Sequence, residues 1–164
     1  MLIGVISDTH GYLDPRLETA FRAVDAIVHA GDVGGTDILD ALRAIAPLYA
    51  VRGNNDERLG GLGLPLHHDF KLADVLFHLV HQLSHARPAP GTRVVVYGHS
   101  HRTLVEDRNG VLYLNPGAAG RTGFHRLQTV ALLDLSTQSY EARIVELGPR
   151  EARPRRPAVR AREG

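Results

Sequence analysis

The sequence predicts a single domain of the α/β class, and two patterns support that prediction. Up to residue 60, short apolar segments typical of strands alternate with segments of helical periodicity, which favours a partly parallel sheet with helices on its outer face. Beyond "GGLGLP" at 60–65 the segments are strand-like, so the second half is predicted to be rich in β-structure. The 164 residues, 43% of them hydrophobic, are enough for one compact core.

The first half is predicted to contain three strands and two helices. "MLIGVIS" is apolar and rich in β-branched residues, as strands are. In "DPRLETAFRAV", Asp14 is a candidate cap before Pro15, which suits the first helical position. Leu17 and Phe21 then repeat at helical spacing. The predicted elements are, in order, a strand at 1–7, a helix at 14–24, a strand at 26–30, a helix at 36–46 and a strand at 47–51.

The second half is predicted to contain six strands joined by short turns. "DRNGV" contains an Asn-Gly pair, which is typical of a tight hairpin turn, and "STQS" at 136–139 indicates a second turn. The predicted strands lie at 74–81, 92–98, 102–107, 110–115, 129–135 and 140–147.

Composition excludes several classes of protein. The chain has no cysteine, which excludes disulfides, thiolate metal sites and a cysteine nucleophile, so any metal must be held by nitrogen and oxygen. No apolar run approaches the roughly 18 residues of a membrane span, and no signal-peptide pattern follows Met1. We therefore expect a cytoplasmic protein without a membrane partner.

Charge is distributed unevenly along the chain. Residues 148–164, "GPREARPRRPAVRAREG", hold six arginines and two glutamates, whereas the whole chain has a net charge of +1. The net charge of residues 1–147, the body of the chain, is therefore close to −3. The proline-rich tail is predicted to be basic and disordered. A negatively charged body repels a nucleic-acid backbone, so a nucleic-acid partner is disfavoured.

Polar clusters follow five of the predicted strands directly. In open α/β sheets, binding sites form beyond the carboxyl ends of the strands, so these clusters are predicted to converge on one crevice. If the strands continued through them, Asp8 and His10 would share a face, and so would His99 and His101. The clusters are Asp8-Thr9-His10, Gly31-Asp32, Gly53-Asn54-Asn55-Asp56, His81 and His99-Ser100-His101.

The chemistry of these side chains predicts a metal centre. Carboxylates, imidazoles and an amide, without sulfur, suit Mn²⁺, Fe²⁺, Zn²⁺, Co²⁺ or Ni²⁺, and the histidines argue against a site built for Mg²⁺ or Ca²⁺ alone. The set exceeds what one ion needs, so two ions are expected. Asp32 is a candidate bridging ligand, because Gly31 and Gly34 nearby let backbone and ions approach closely.

The motif series "DTH … GD … GNND … H … GHSH … NPG" resembles the calcineurin-like metallophosphoesterases, in particular their small bacterial and archaeal phosphodiesterase subgroup. The resemblance covers residues 1 to about 147 and implies a four-layer αββα sandwich of two mixed β-sheets flanked by helices. It also implies that the first metal ion, with manganese the favoured element, is held by Asp8, His10, Asp32 and His101, and the second by Asp32, Asn54, His81 and His99. The catalytic residues that it implies are Asp32, Asn54, Asn55 and Asp56.

Two departures from the family pattern concern function. Many members have a histidine where this chain has Asn55, and in them that histidine stabilises the transition state or protonates the leaving group. Asn55 cannot serve as that acid, so activated diesters are expected to be better substrates than monoesters with poor leaving groups. After His81 the chain reads "HQLSH" instead of the usual glycine, which makes His78 and His85 rival ligands.

The function expected from these observations is phosphodiester hydrolysis by a hydroxide that a dinuclear metal centre activates. The expected partner is a small phosphodiester or another phosphate ester, and self-association into a homo-oligomer is left open. The alternative is a metal-carrying scaffold, weakly active or inactive, that binds a protein partner through the same fold. Missing ligands would mark such a scaffold, and here all seven positions carry competent side chains.

Overall fold

The computed structural model describes residues 1–136 and 140–150, which form two five-stranded mixed sheets and two α-helices. In these residues no helix is long and apolar enough to cross a membrane. The first sheet consists of β1 (Leu2–Ile6), β2 (Ala26–His29), β3 (Leu48–Ala50), β9 (Leu127–Asp134) and β10 (Glu141–Pro149). The second consists of β4 (His67–Leu72), β5 (Val75–Val80), β6 (Val94–Val96), β7 (Thr103–Arg108) and β8 (Val111–Pro116), and the helices are α1 (Arg16–Phe21) and α2 (Thr36–Ile45).

Each sheet contains three neighbouring parallel strands that are extended by antiparallel strands, on one side in the first sheet and on both sides in the second. The first sheet has the order β10-β9-β1-β2-β3, in which β1, β2 and β3 run parallel. The second has the order β4-β5-β6-β8-β7, in which β5, β6 and β8 run parallel. Parallel neighbours end at the same edge of a sheet, so the loops after these strands lie together.

An apolar core separates the two sheets. Side chains alternate along a strand, and Ile3 and Val5 of β1 face Phe77 and Leu79 of β5 across this core. The Phe70 and Phe77 rings stack with centroids 5.2 Å apart, and Phe77 is fully buried. This core fixes the distance between the two sheets and therefore the distance between their edges.

A second core lies between the first sheet and both α-helices. Leu17 and Phe21 of α1 and the buried face of α2 pack against Ile6 and Ile27 of the sheet. The prediction of two mixed sheets with flanking helices is confirmed. Both α-helices cover the first sheet. Within the described residues, the segment around Arg87 crosses the outer face of the second sheet without forming an α-helix, and its backbone N–H donates to His78.

One strand was not predicted. β4 (His67–Leu72) is an edge strand, and its outward side chains, which include Asp69 and Lys71, are polar. Its two buried residues, Phe70 and Leu72, are too few to give a strong apolar signal. The Asn-Gly hairpin turn is confirmed, since Asn109 and Gly110 both have positive φ.

The end of the domain differs from the predicted boundary. β10 continues to Pro149, past residue 147, and the backbone N–H of Arg150 donates to the carbonyl of Arg126. The rest of the basic tail, at 151–164, lies outside the described residues, as do three of the four residues of the predicted "STQS" turn.

Replacing Phe77 by alanine is expected to lower the free energy of unfolding by about 3–5 kcal/mol, because it leaves a cavity between the sheets. Urea denaturation followed by circular dichroism measures the change. The exposed Lys71→Ala variant on the neighbouring strand is the control, with an expected change within about 0.5 kcal/mol. A loss below about 1 kcal/mol for Phe77→Ala would contradict this description of the core.

Candidate metal centre

The candidate site lies where the carboxyl ends of parallel strands from both sheets meet. The loops after β1, β2 and β3 of the first sheet supply Asp8, His10, Asp32 and Asn54. The segments after β5 and β6 of the second sheet supply His81, His99 and His101. Asp8, Asp32 and His81 form a buried floor, whereas Asn54 and His99 are exposed at the rim.

Left-handed backbone, rather than strand alternation, orients most of these side chains. Asp8, His10, Asp32, His99 and His101 all have φ between 48° and 66°. L-residues with side chains adopt this region rarely, and such conformations persist where the surroundings enforce them. The predicted sharing of a strand face within each D-x-H and H-x-H pair is therefore wrong, because β1 ends at Ile6 and β6 ends at Val96.

Backbone hydrogen bonds between loops enforce this conformation. The N–H groups of Asp8 and His10 donate to the carbonyls of Gly31 and Asp32, at 3.0 and 2.9 Å, which continues the pairing of β1 with β2 beyond the strands. A further loop attaches to the same place, since the N–H of Gly120 donates to the carbonyl of Asp8 at 3.0 Å. Three separate segments are thus tied together at the first aspartate.

Two glycines allow the close approach of these loops. A Cβ atom at Gly53 would collide with the Asp32 carboxylate, and one at Gly98 would collide with the Ser7 hydroxyl. Both positions precede predicted ligands, Asn54 and His99. The site therefore leaves no room for a side chain at the glycine of the "GN" pair or at the glycine of the "GH" pair.

The first half of the site gathers one carboxylate and two imidazoles. Asp8 Oδ1 lies 3.2 Å from His101 Nε2 and 3.9 Å from His10 Nε2, and the two ring nitrogens are 3.5 Å apart. The ligand atoms of all three residues lie within 4.8 Å of one another. Asp32 Oδ2 is a further 3.9 Å from His10 Nε2, so it completes a cluster of four.

The second half of the site gathers around the same aspartates. Asp32 Oδ2 lies 3.4 Å from His81 Nε2, and Asp8, Asp32 and His81 also have ligand atoms within 4.8 Å of one another. Asn54 Oδ1 lies 3.1 Å from both His81 Nε2 and His99 Nδ1. Asp8 therefore borders both halves together with Asp32, whereas the resemblance implied Asp32 alone as the shared ligand.

All seven predicted ligands converge on this crevice, and the rival histidines do not. His78 points to the outer face of the second sheet, where its Nδ1 lies 2.7 Å from Asp69 Oδ1. Its Nε2 accepts the N–H of Arg87, so both ring nitrogens are engaged away from the site. His85 is exposed on the short 3-10 turn Leu83–His85, and His81 is the residue that reaches Asp32.

Asp56, a predicted catalytic residue, is enclosed by backbone donors. Its buried carboxylate accepts hydrogen bonds from the backbone N–H groups of Val33, Gly34 and Gly53, at 2.8–3.1 Å. These bonds tie the loop after β3 to the loop after β2. Asp56 is a positioning residue, because the charge on its carboxylate is already satisfied by backbone amides.

Asn55 acts on Asp32 directly. Its backbone N–H donates to Asp32 Oδ1 at 2.9 Å and its side-chain amide donates to Oδ2 at 2.6 Å. Both carboxylate oxygens are therefore oriented by one neighbouring residue. The side chain at position 55 lies against the floor of the site, where it can influence what binds there.

The electrostatics of the site favour ionised carboxylates. Burial alone would raise the pKa of Asp32, but the hydrogen bond and positive charge of His81 and the two hydrogen bonds from Asn55 lower it below its ordinary value. Burial lowers the pKa of His10, and the charges of Asp32 and Asp8 offset this only in part. Burial also acts to lower the pKa of His81, but its bond to Asp32 and the nearby Asp8 charge raise it overall.

The donor set fits divalent cations. Asp8 Oδ1 is buried, and no hydrogen bond reaches it from the described residues, although a carboxylate oxygen in this position needs a positive partner. His81 Nδ1 lies 2.7 Å from the carbonyl of Ala30, which can only accept, so Nδ1 carries a proton. Nε2 faces the crevice and is therefore the nitrogen that would bind a metal ion after losing the proton it shares with Asp32. Oxygen and nitrogen lone pairs thus converge on the same space.

Several supporting residues were not in the predicted site. The Asn115 side chain donates to the carbonyl of Gly98 at 2.9 Å and accepts the N–H of Gly117, which fixes the loop that bears His99. The fully buried His29 bonds Thr9 Oγ1 at 2.9 Å and accepts the N–H of Gly31. Both residues could be recognised from their positions in the sequence, because each lies at or next to the end of a strand, just before a loop of the site.

The fold and the candidate metal centre agree with the phosphoesterase class, and sequence comparison gives the family. Residues 1–138 match the calcineurin-like phosphoesterase superfamily domain. The chain belongs to that superfamily, as its motif series predicted.

Individual relatives agree with this assignment. A probable metallophosphoesterase of Methanocaldococcus jannaschii is 35% identical over 134 residues, which cover 72% of this chain and 68% of the relative. A solved structure described as a novel archaeal phosphodiesterase has a TM-score of 0.71 at 26% identity, covering 89% of this chain and 99% of that one. Vps29 from Entamoeba histolytica shares the fold, with a TM-score of 0.70 at 19% identity, covering 89% of this chain and 99% of that one.

Replacing Asp56 by asparagine is expected to destabilise the metal-free protein by about 3 kcal/mol. An amide cannot accept from three N–H donors as a carboxylate does, and a buried donor left without a partner is costly. Chemical denaturation measures the loss, with Glu57→Gln, on the exposed neighbouring residue, as the control. Equal stability of the two variants would contradict the positioning role.

Stability is expected to fall on acidification, partly because of His29. Burial lowers the pKa of His29 from 6.5 to about 4, so the unfolded chain takes up a proton that the folded protein refuses. The His29 contribution is therefore complete above pH 6.5 and is lost as pH falls towards 4, a difference of about 3 kcal/mol. Urea denaturation of metal-free protein at several pH values measures this slope.

The variant His29→Gln removes the titrating group and keeps a side chain that forms hydrogen bonds. Its free energy of unfolding is expected to fall less between pH 7 and pH 4, by about the same 3 kcal/mol. Parallel pH profiles for wild type and variant would contradict the assigned cause.

Proposed function

We propose that this protein is a metal-dependent phosphodiesterase that holds two divalent transition-metal ions, with manganese the favoured element. The observation that carries the proposal is the convergence of seven side chains with nitrogen or oxygen ligand atoms on one crevice, whose floor includes Asp8 Oδ1, a buried carboxylate oxygen that accepts no hydrogen bond from the described residues. A purely structural site would satisfy that oxygen with a donor from the protein. Membership of the phosphoesterase superfamily supports the reaction class.

The ligand sets follow the two halves of the site. One ion would be held by Asp8, His10, Asp32 and His101, and the other by Asp32, Asn54, His81 and His99. Imidazole with carboxylate and amide oxygens suits Mn²⁺, Fe²⁺, Zn²⁺, Co²⁺ and Ni²⁺, and geometry with metal availability selects among them. Asp8 lies within 4.8 Å of ligand atoms in both halves, so its charge acts on both ions.

When bound, such a pair of ions supplies a nucleophile by lowering the pKa of a water molecule and neutralises the phosphate oxygens. The protein's residues set the geometry for this. Asn55 holds both oxygens of Asp32, and the carbonyl of Ala30 holds the His81 ring so that Nε2 faces the crevice. Left-handed backbone orients Asp8, His10, His99 and His101 towards the crevice before substrate binds.

Diesters are favoured over monoesters for two reasons. A solved neighbour, 26% identical, is described as a phosphodiesterase. Position 55 carries an amide, which cannot protonate a departing alkoxide as the histidine of many family members does. Substrates with good leaving groups, such as p-nitrophenyl diesters, need no such proton and are expected to react fastest.

The alternative is a scaffold that binds a protein partner through the same fold. The fold shared with Vps29 is compatible with either function, because one fold hosts many activities. The complete ligand set and the left-handed backbone at five ligand positions favour the enzyme, since binding a partner alone requires neither. A scaffold would tolerate the loss of Asp32 without loss of function.

Replacing Asp32 or His99 by alanine is expected to reduce bound metal and to lower kcat/KM for bis-p-nitrophenyl phosphate by about 100-fold or more. Asp32 contacts both halves of the site, so its loss affects both ions, whereas the loss of His99 affects one. Metal analysis and the release of p-nitrophenolate measure the two effects on the same samples.

The control for metal content is His85→Ala, which removes the rival ligand. It is expected to keep the metal content of the wild type, because His85 is exposed on the turn after the site. Full activity after the loss of Asp32 or His99 would refute the proposal, and loss of metal in His85→Ala would refute the ligand set.

A further inference from the structure

Four cavities are lined by predicted metal ligands, and two of them lie at different ligands on two sides of the centre. The first, the His81 cavity, has a volume of about 220 Å³ and is lined by Asn54, His81, Arg52 and Leu66 among others. The second, the His99 cavity, has a volume of about 490 Å³ and is lined by His99, His101, Arg102 and Phe124 among others. They share no lining residue. A diester has two organic arms on one phosphorus, and these two cavities offer a space for an arm on two sides of the centre.

Phe124 is the unusual residue of the His99 cavity. Its side chain is fully exposed, at 104% of the reference area, although large aromatic side chains gain the most from burial. It contributes nothing to either apolar core. An aromatic ring displayed to solvent beside predicted metal ligands suits contact with a bound molecule.

The loop that carries Phe124 is anchored to the site. His125 Nε2 donates to the carbonyl of Gly120 at 2.9 Å, and the N–H of Gly120 donates to the carbonyl of Asp8. The rings of His125 and His101 meet edge-on with centroids 5.2 Å apart. The backbone at Phe124 is therefore tied to the metal-ligand loops by the residue that follows it.

Charge and aromatic surface are combined in this cavity. Arg102 is exposed at its rim, one residue after the predicted ligand His101. A guanidinium there attracts an anionic phosphodiester, while a phenyl face binds aromatic groups by stacking. The other exposed apolar side chains of the described residues, such as Ile45 on α2, do not line this cavity.

We infer that the His99 cavity is a specificity site for phosphodiesters with an aromatic arm, either an aryl or a nucleobase group, which stacks on Phe124. The inference rests on the proposed function and names the substrate class of that site. Arg102 contributes charge without selecting the arm, and Phe124 selects the arm without contributing charge. The His81 cavity receives the second arm.

The test is calorimetric titration of the manganese-loaded protein with diphenyl phosphate and with diethyl phosphate. The wild type is expected to bind the diphenyl ester about tenfold more tightly, which corresponds to the stacking of one ring. Phe124→Ala is expected to abolish that preference, whereas Phe124→Tyr, which keeps the ring, retains it. Arg102→Gln is expected to weaken the binding of both esters by the same factor of about three.

The matched control is Ile45→Ala, which removes another exposed apolar side chain and is expected to keep the preference. A wild type without preference, or a preference that survives Phe124→Ala, overturns the inference. Hydrolysis of bis-p-nitrophenyl phosphate, measured in parallel, separates the two proposals. Preference without hydrolysis refutes the proposed function alone, and hydrolysis without preference refutes the specificity site alone.

Discussion

The left-handed backbone at the ends of the central strands is the constraint on which the rest of the site depends. A residue in this conformation turns the chain sharply, so that Asp8 and His10, or His99 and His101, reach one crevice from a loop and not from a strand face. Each such residue costs free energy, of order 1–3 kcal/mol, and the structure offsets it with hydrogen bonds between loops. The bonds from Asp8 and His10 to the β2 loop, and from Gly120 to Asp8, join segments that are far apart in sequence. The two apolar cores hold the sheets that carry these loops, so packing and site geometry are coupled.

The arrangement of these loops also determines where the charged groups of the site lie. Two carboxylates, Asp8 and Asp32, lie on a buried floor and face imidazoles at 3.2–3.9 Å. Hydrogen bonds from His81 and Asn55 hold the pKa of Asp32 below its ordinary value despite burial, while Asp8 Oδ1 accepts no hydrogen bond from the part of the chain that the structure describes. A floor of this kind is stable when cations occupy the space above it, because buried anions need positive partners. Asp56, in contrast, is satisfied by three backbone amides and serves the loops.

The sequence predicted the elements whose apolar residues repeat regularly and the polar side chains that follow them. It did not predict backbone conformations and side-chain directions that depend on contacts between distant segments. The parallel strands and both helices were predicted because their apolar residues repeat regularly, and the seven side chains that converge were found because each follows an apolar strand. The strand at His67–Leu72 was missed because an edge strand with two buried residues carries little apolar signal. Asp56 was assigned to catalysis because a motif does not show which way a carboxylate points. The strand-face explanation for His99 and His101 was wrong because sequence does not show where a strand ends and positive φ begins.

The exposed ring of Phe124 and the two separate cavities extend this account from catalysis to substrate choice. The proposed catalysis and the proposed substrate choice both require a pair of ions bound side by side. Titration of the metal-free protein with Mn²⁺, followed by electron paramagnetic resonance, tests that claim most directly. The account predicts two ions bound per chain and a spectrum of spin-coupled manganese, because two ions held as neighbours by this ligand set would interact magnetically. Binding of one ion, or of two with the uncoupled spectra of distant sites, would contradict it.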